Sequence, residues 1–165
     1  MNFWIVADTH FGHNMLWREG HRKIDFEERL LMNINNAYKE GDVLIHLGDV
    51  SFYDHVRWHQ RLMKSWPGKR WLIIGNHDDK SINWYLQQGW DVACYEFAIM
   101  MYSYLIVFTH EPTIDCKDGS VINIHGHLHT GVHRETETSK RNILVSMEET
   151  DMKPIALKSI IENYQ

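Results

Sequence analysis

Short apolar runs alternate along the chain with polar loops and with stretches whose apolar residues recur every three or four positions. Phe3-Trp4-Ile5-Val6-Ala7 is an unbroken apolar run and predicts a buried strand. Phe26 to Tyr38 places Leu30, Leu31, Ile34, Ala37 and Tyr38 at the spacing of a helix face, and Gly41-Asp42 supplies its stop. Val43 to Leu47 predicts a second strand. Tyr53 to Lys64 predicts a second helix, stopped by Trp66-Pro67-Gly68. Arg70 to Ile74 reads as a third strand, and Lys80 to Gln88 as a short helix closed by Gly89. Val92 to Met101 and Tyr104 to Thr109 read as two strands turning at Tyr102-Ser103, and Val121 to His125 as another. Ile143 to Val145 and Pro154 to Leu157 form an expected last pair before a short C-terminal helix.

The first half is therefore βαβαβα and the second mostly β, an order that predicts sheets sandwiched between helices. In open α/β sheets, ligands bind beyond the carboxyl ends of the strands. The length of 165 residues predicts one domain, 1–165, with no residues to spare for a separate cap. The net charge of -5 argues against general nucleic-acid binding, though a local basic groove stays open. Cys94 and Cys116 make neither a disulfide framework nor a zinc-finger spacing, and Cys94, in an apolar run, is expected to be a buried thiol. No apolar run is long enough to span a membrane, and the start lacks the basic region of a signal peptide. A cytoplasmic location is expected.

Twelve histidines are many for this length, and they sharpen the picture because several sit where strands end. Asp8-Thr9-His10 follows the first strand and offers a carboxylate and an imidazole two residues apart. Gly48-Asp49 follows the second, where the two oxygens of one carboxylate can each bind a cation. Gly75-Asn76-His77-Asp78 follows the third: Asn76 offers a neutral oxygen, His77 a proton, and Asp78 can orient His77 through its second ring nitrogen. His110 ends one later strand, and Gly126-His127-Leu128-His129 follows another, the H-x-H spacing putting two imidazoles on one side of an extended segment. Each cluster alone is an ordinary polar loop. Five strand ends bearing Asp, Asn and His in succession predict a metal site. His46 and His125 are expected to be buried and hydrogen-bonded. His13 can reach a substrate phosphate or simply hold its loop. Arg22 is either a phosphate clamp or part of a solvated face with Arg18 and Lys23.

The succession D-x-H, G-D, G-N-H-D, H, G-H-x-H over residues 8 to 129 resembles that of the calcineurin-like metallophosphoesterases. Asp8-Thr9-His10-Phe11-Gly12-His13, with His46-Leu47-Gly48-Asp49 and the tail around Pro154, is similar to a compact subgroup of that superfamily. The resemblance implies a four-layer α/β/β/α sandwich of two mixed sheets. It also implies two divalent ions, one held by Asp8, His10, Asp49 and His129, the other by Asp49, Asn76, His110 and His127, with Asp49 bridging. His77 is similar to the catalytic histidine that touches the scissile phosphate, and Asp78 to its supporter. The mixed nitrogen and oxygen donors favour manganese, then iron, zinc, nickel or cobalt, over magnesium or calcium. The implied activity is hydrolysis of a small or nucleotide-like phosphodiester by a metal-bridging hydroxide. A nuclease of the same chemistry would need a basic groove with stacking aromatics such as Trp17, Trp58 and Trp84. A non-catalytic scaffold would be expected to have lost ligands that this chain keeps.

Overall fold

The computed structural model describes residues 1–113, 120–129 and 141–164; Cys116 and His133 lie outside them. Nine strands and five helices are formed in this part of the chain: β1 (Phe3–Val6), α1 (Met15–Arg18), α2 (Phe26–Ala37), β2 (Val43–His46), α3 (His55–Ser65), β3 (Lys69–Ile73), α4 (Ile82–Gln88), β4 (Val92–Cys94), β5 (Glu96–Met101), β6 (Tyr104–Thr109), β7 (Val121–His125), β8 (Asn142–Leu144), β9 (Ile155–Ala156) and α5 (Leu157–Tyr164). The first sheet runs β4-β3-β2-β1-β9 and the second β5-β6-β7-β8. β1 to β4 are parallel, with Ile5 beside Ile45 and Ile45 beside Trp71, while β9 is antiparallel to β1. In the second sheet β5 is antiparallel to β6, and β6, β7 and β8 are parallel.

Parallel neighbours need crossover connections of one hand. Because successive strands step in one direction from β1 to β4, α2, α3 and α4 all fall on the same face. Val6, Leu44 and Leu72 point to that face and pack with Leu30, Ile34, Leu62 and Tyr85. Ile5, Val43, Ile45 and Ile73 point the other way and meet Ile106, Phe108, Ile122 and Ile124 of the second sheet. Each fully buried aliphatic chain here contributes about 1.5–3 kcal/mol relative to exposure. Leu157, Ile160 and Ile161 of α5 join the inter-sheet cluster beside β1 and β9. The result is the expected α/β sandwich of two mixed sheets flanked by helices.

The elements differ from expectation in three places. The run Val92 to Met101 is not one strand. It ends in the first sheet at Cys94, bends at the 66%-exposed Tyr95, and resumes as the edge of the second sheet. Cys94 itself is a half-buried free thiol. β8 and β9 do not pair with each other but belong to different sheets, and the chain between them turns through Asp151 and Met152, both at positive φ. A short helix, α1, interrupts the long first loop. Tyr38 leaves α2 in an extended conformation, and its buried hydroxyl donates to Lys69 O at 2.9 Å. α4 is capped as its sequence suggests, with Ser81 Oγ accepting from Trp84 N–H and Gly89 left-handed at the end.

Candidate metal centre

The loops after β1, β2, β3, β6 and β7 meet at one edge of the sandwich. Their backbone is unusual. Asp8, His10, Asp49 and His127 all have φ between 49° and 69°, the left-handed region that side-chain-bearing residues enter sparingly. Such backbone persists only where the surroundings enforce it. Here the loops are tied together: Asp8 N–H donates to Gly48 O, His10 N–H to Asp49 O and Gly126 N–H to His110 O, each at 3.0 Å. Two glycines are there for room. A Cβ on Gly75 would run into the Asp49 carboxylate, and one on Gly126 would lie 2.7 Å from Asp8 Oδ2.

These loops bring all seven expected ligand side chains together, in two sets. In the first, His10 Nε2 lies 3.0 Å from His129 Nε2, and Asp8 stands beside both. In the second, Asn76 Oδ1 is 2.8 Å from His110 Nε2 and 2.9 Å from His127 Nδ1, and those two nitrogens are 3.2 Å apart. Asp49 Oδ2 is 3.6 Å from His10 Nε2 and 3.6 Å from His110 Nε2. Donor atoms sharing a cation at 2.0–2.2 Å stand roughly 2.8–3.5 Å apart, a range that the imidazole and Asn76 separations match and that Asp49 narrowly exceeds.

The electrostatics point the same way. Burial pushes the Asp8 carboxyl up to about 8, with the neighbouring Asp49 adding to this and His129 opposing it. Burial holds His10 far below the ordinary histidine range, and it also lowers His110. Burial thus disfavours the charged forms of Asp8, His10 and His110, and a cation would supply the charge that favours an ionised carboxylate beside neutral imidazole donors. Two tautomers are set by hydrogen bonds outside the cluster. His110 Nδ1–H donates to Leu47 O at 2.7 Å, which leaves Nε2 bare and facing inward. His129 Nδ1 is 3.4 Å from Glu148 Oε1, and this contact raises the imidazole's pKa.

His77 is exposed on the rim, with its ring 4.9 Å from that of Phe52 and 5.7 Å from that of His10, and its backbone N–H donates to Asp49 Oδ1 at 2.9 Å. Asp78 does not serve His77 as expected. It is buried, and its carboxylate accepts from three backbone N–H groups: Asp49 at 2.8 Å, Gly75 at 2.9 Å and Val50 at 3.1 Å. It thereby fixes the loop that carries Asp49. Burial still pushes its pKa up to about 7, against the pull of those bonds. His13 lies flat on Phe52, 3.9 Å between centroids, close to His10.

Arg22 is neither a clamp nor a solvated residue. Its side chain is fully buried and donates to Thr9 O, Asp8 O and Glu148 Oε1 at 2.7–2.8 Å, so the guanidinium is committed to holding the Asp8 loop. Arg18 and Lys23 are exposed. Glu148 was not anticipated. It joins Arg22 to His129, and no motif marks it, because its partners lie 126 and 19 residues away. His46 and His125 are buried: His46 bonds Thr9 Oγ1 and Gly48 N–H, and His125 bonds Gly126 O. Trp17, Trp58 and Trp84 are half-buried and pack against the helical layer. Among the described residues, no helix is long and apolar enough to cross a membrane.

An uncharacterised protein of Methanocaldococcus jannaschii is 24% identical over 96% of this chain and 89% of its own length. A protein of unknown function from Aquifex aeolicus has a similar structure, with a TM-score of 0.79 at 24% identity over 98% of each chain. An archaeal phosphodiesterase shares the fold more loosely, with a TM-score of 0.56 at 17% identity over 95% of this chain and all of the other. The sequence pattern of one family matches residues 1–158, through every strand of both sheets and every loop that feeds the cluster. The chain belongs to the calcineurin-like phosphoesterases, metal-dependent hydrolases of phosphate esters.

Proposed function

We propose that the chain is a binuclear phosphodiesterase acting on a small or nucleotide-like diester. One observation carries this reading: Asp49 Oδ2 stands at the same distance from an imidazole of each ligand set. In this reading Asp8, His10, Asp49 and His129 hold one ion, and Asp49, Asn76, His110 and His127 the other. Divalent ions there, manganese before iron, zinc, nickel or cobalt, supply Lewis acidity toward phosphoryl oxygens and lower the pKa of water. The protein's own groups do the rest. The His77 N–H to Asp49 Oδ1 bond fixes how the shared carboxylate faces both sets. With its oxygen turned into the cluster, Asn76 leaves its amide N–H groups for a phosphate oxygen. His77, on the exposed rim, presents a proton to the departing ester oxygen. His13 borders the same opening.

The commitment of Arg22 bears on the substrate. The second negative charge of a monoester finds no answer from it, whereas a diester carries only one. The phosphodiesterase that shares the fold fits this preference. The test is to strip the protein of metal, restore it with Mn²⁺, and assay monoesters, linear diesters and cyclic nucleotides. Activity should vanish on stripping, return with two metals per chain, and favour diesters in kcat/KM. Full activity at one metal per chain would refute the binuclear reading, and a monoester preference the diester one.

A further inference from the structure

A file of rings leads away from the metal cluster. His77 is 4.9 Å from Phe52, and Tyr53 meets Phe52 edge-on at 4.8 Å. Tyr53 is 59% exposed. It forms one wall of a cavity of about 440 Å³ that none of the seven ligand-like side chains lines. That volume lies within the range of small-molecule sites, about 300–1,000 Å³. The cavity thus begins two ring-to-ring steps from the residue placed beside the leaving oxygen.

The other walls narrow down the occupant. Gly12 lets the loop approach: a Cβ there would lie 2.7 Å from Trp58 Nε1, so the indole edge borders the cavity at this point. Arg61 is taken by Glu28 at 2.6 and 2.8 Å, and Glu27 Oε1 accepts from Gly12 N–H. Arg57 is exposed and has no ion-pair partner among the described residues, and Asp54 is exposed beside it. Three carboxylates against two guanidiniums oppose a second phosphate group. A lipid or alkyl chain would find mostly charged walls. A flat, uncharged ring with both donors and acceptors on its edge suits what is there: Tyr53 to stack on, Arg57 to donate, and the carboxylates to accept.

We propose that this cavity is a nucleobase subsite. The nucleoside that departs as an alcohol when the diester is cleaved stacks on Tyr53, with Arg57 and the neighbouring carboxylates at its edge. The inference rests on the phosphodiesterase reading for the place of the phosphate, and it commits to a free nucleotide, since the chain's net charge of -5 disfavours a polyanion.

The test is calorimetric titration of the manganese-loaded protein. The probes are the phosphonate isostere of AMP, whose C–P bond resists hydrolysis, and methylphosphonate, which carries the same anion without the nucleoside. The wild type should bind the AMP isostere about tenfold or more tightly than methylphosphonate, within what base stacking is worth. Tyr53→Ala should remove that advantage and leave the methylphosphonate affinity unchanged, while Tyr53→Phe keeps it. The exposed position of Tyr53 makes the alanine variant safe to fold, and an unchanged melting curve checks this. Equal affinities in the wild type, or an advantage that survives Tyr53→Ala, overturns the subsite. A single-stranded hexanucleotide bound more tightly than the AMP isostere overturns the commitment to a free nucleotide. The parent reading fails separately: a wild type that hydrolyses no diester yet keeps its Tyr53-dependent preference loses the phosphodiesterase assignment and retains the subsite.

Discussion

Two regions of this molecule bury histidines almost equally, and only one has the form of a metal site. At the strand ends, His10 is 2% exposed and His110 4%, and their inward nitrogens lie 3.0 Å from the His129 Nε2 and 2.8 Å from the Asn76 Oδ1. Behind the first sheet, among Trp66, Trp84, Tyr85 and Trp90, His46 and His59 are fully buried, and a proton donor answers the Nδ1 of each. Thr9 and Gly48 engage His46, and the Trp90 indole N–H donates to His59 Nδ1 at 3.0 Å. Both regions depress imidazole basicity by burial, to about 3 for His46 and His59. Burial and a shifted pKa therefore do not separate the two. Convergence of several imidazole nitrogens and side-chain oxygens on one point does.

The sharpest way to break the contrast is Asp49→Ala. It removes the oxygen that stands 3.6 Å from an imidazole of each ligand set, so metal content should collapse at both positions and turnover with it. Two metals per chain in that variant, by elemental analysis, would end the bridging assignment. Next in size is His77→Ala, which should retain both metals and lose about 10²–10⁴-fold in rate. The loss should be much larger for an alkyl or nucleoside ester than for a p-nitrophenyl ester, whose leaving group needs no proton. Equal losses on the two esters would take the acid role from His77. A smaller effect is expected from Glu148→Gln, which keeps the shape but removes the charge shared by Arg22 and His129. Metal affinity should fall about 10–100-fold, the usual size for a partner standing behind a ligand. An unchanged metal titration would leave Glu148 with a packing role alone.

The smallest effect on activity should come from the other region. His59→Phe leaves the Trp90 indole without its acceptor, which costs about 1–3 kcal/mol of stability, while kcat/KM and metal content stay as they are. This variant should also change the acid limb of stability. His59 is lowered from 6.5 to about 3 in the fold, so its contribution is complete above 6.5 and is lost as pH falls toward about 3. One such proton is worth about 1.4 kcal/mol per pH unit. Denaturant melts of the chelated proteins between pH 6.5 and 4 should show a shallower decline for His59→Phe. Parallel declines would mean that His59 is charged in the fold.

Much of this was legible in the sequence, and the parts that were not share a cause. The apolar runs and helical repeats located β1 to β3 and α2 to α4, because these strands are buried on both faces and the helices on one. Period alone could not divide Val92 to Met101, since both strands are apolar and only the bend at Tyr95 separates them. The candidate ligands stood out because they follow strands in order. The roles of Asp78, Arg22 and Glu148 did not, because their partners are backbone groups or residues far along the chain. A carboxylate that accepts three N–H groups looks, in sequence, like one that orients a histidine.

The bonds from His127 N–H to Asp8, at 3.0 and 3.1 Å, bridge 119 positions of chain. They stitch the mouth of the first sheet to that of the second at the point where donors from both converge. A chain growing from its amino end thus has Asp8, His10 and Asp49 long before His127 and His129 arrive to complete either pocket. Tight metal uptake should wait until the two sheets have docked, since loop closure over such a distance is among the slower steps a domain takes. Captured metal would then timestamp the end of folding, and a nascent or clipped chain would advertise itself by failing to retain it.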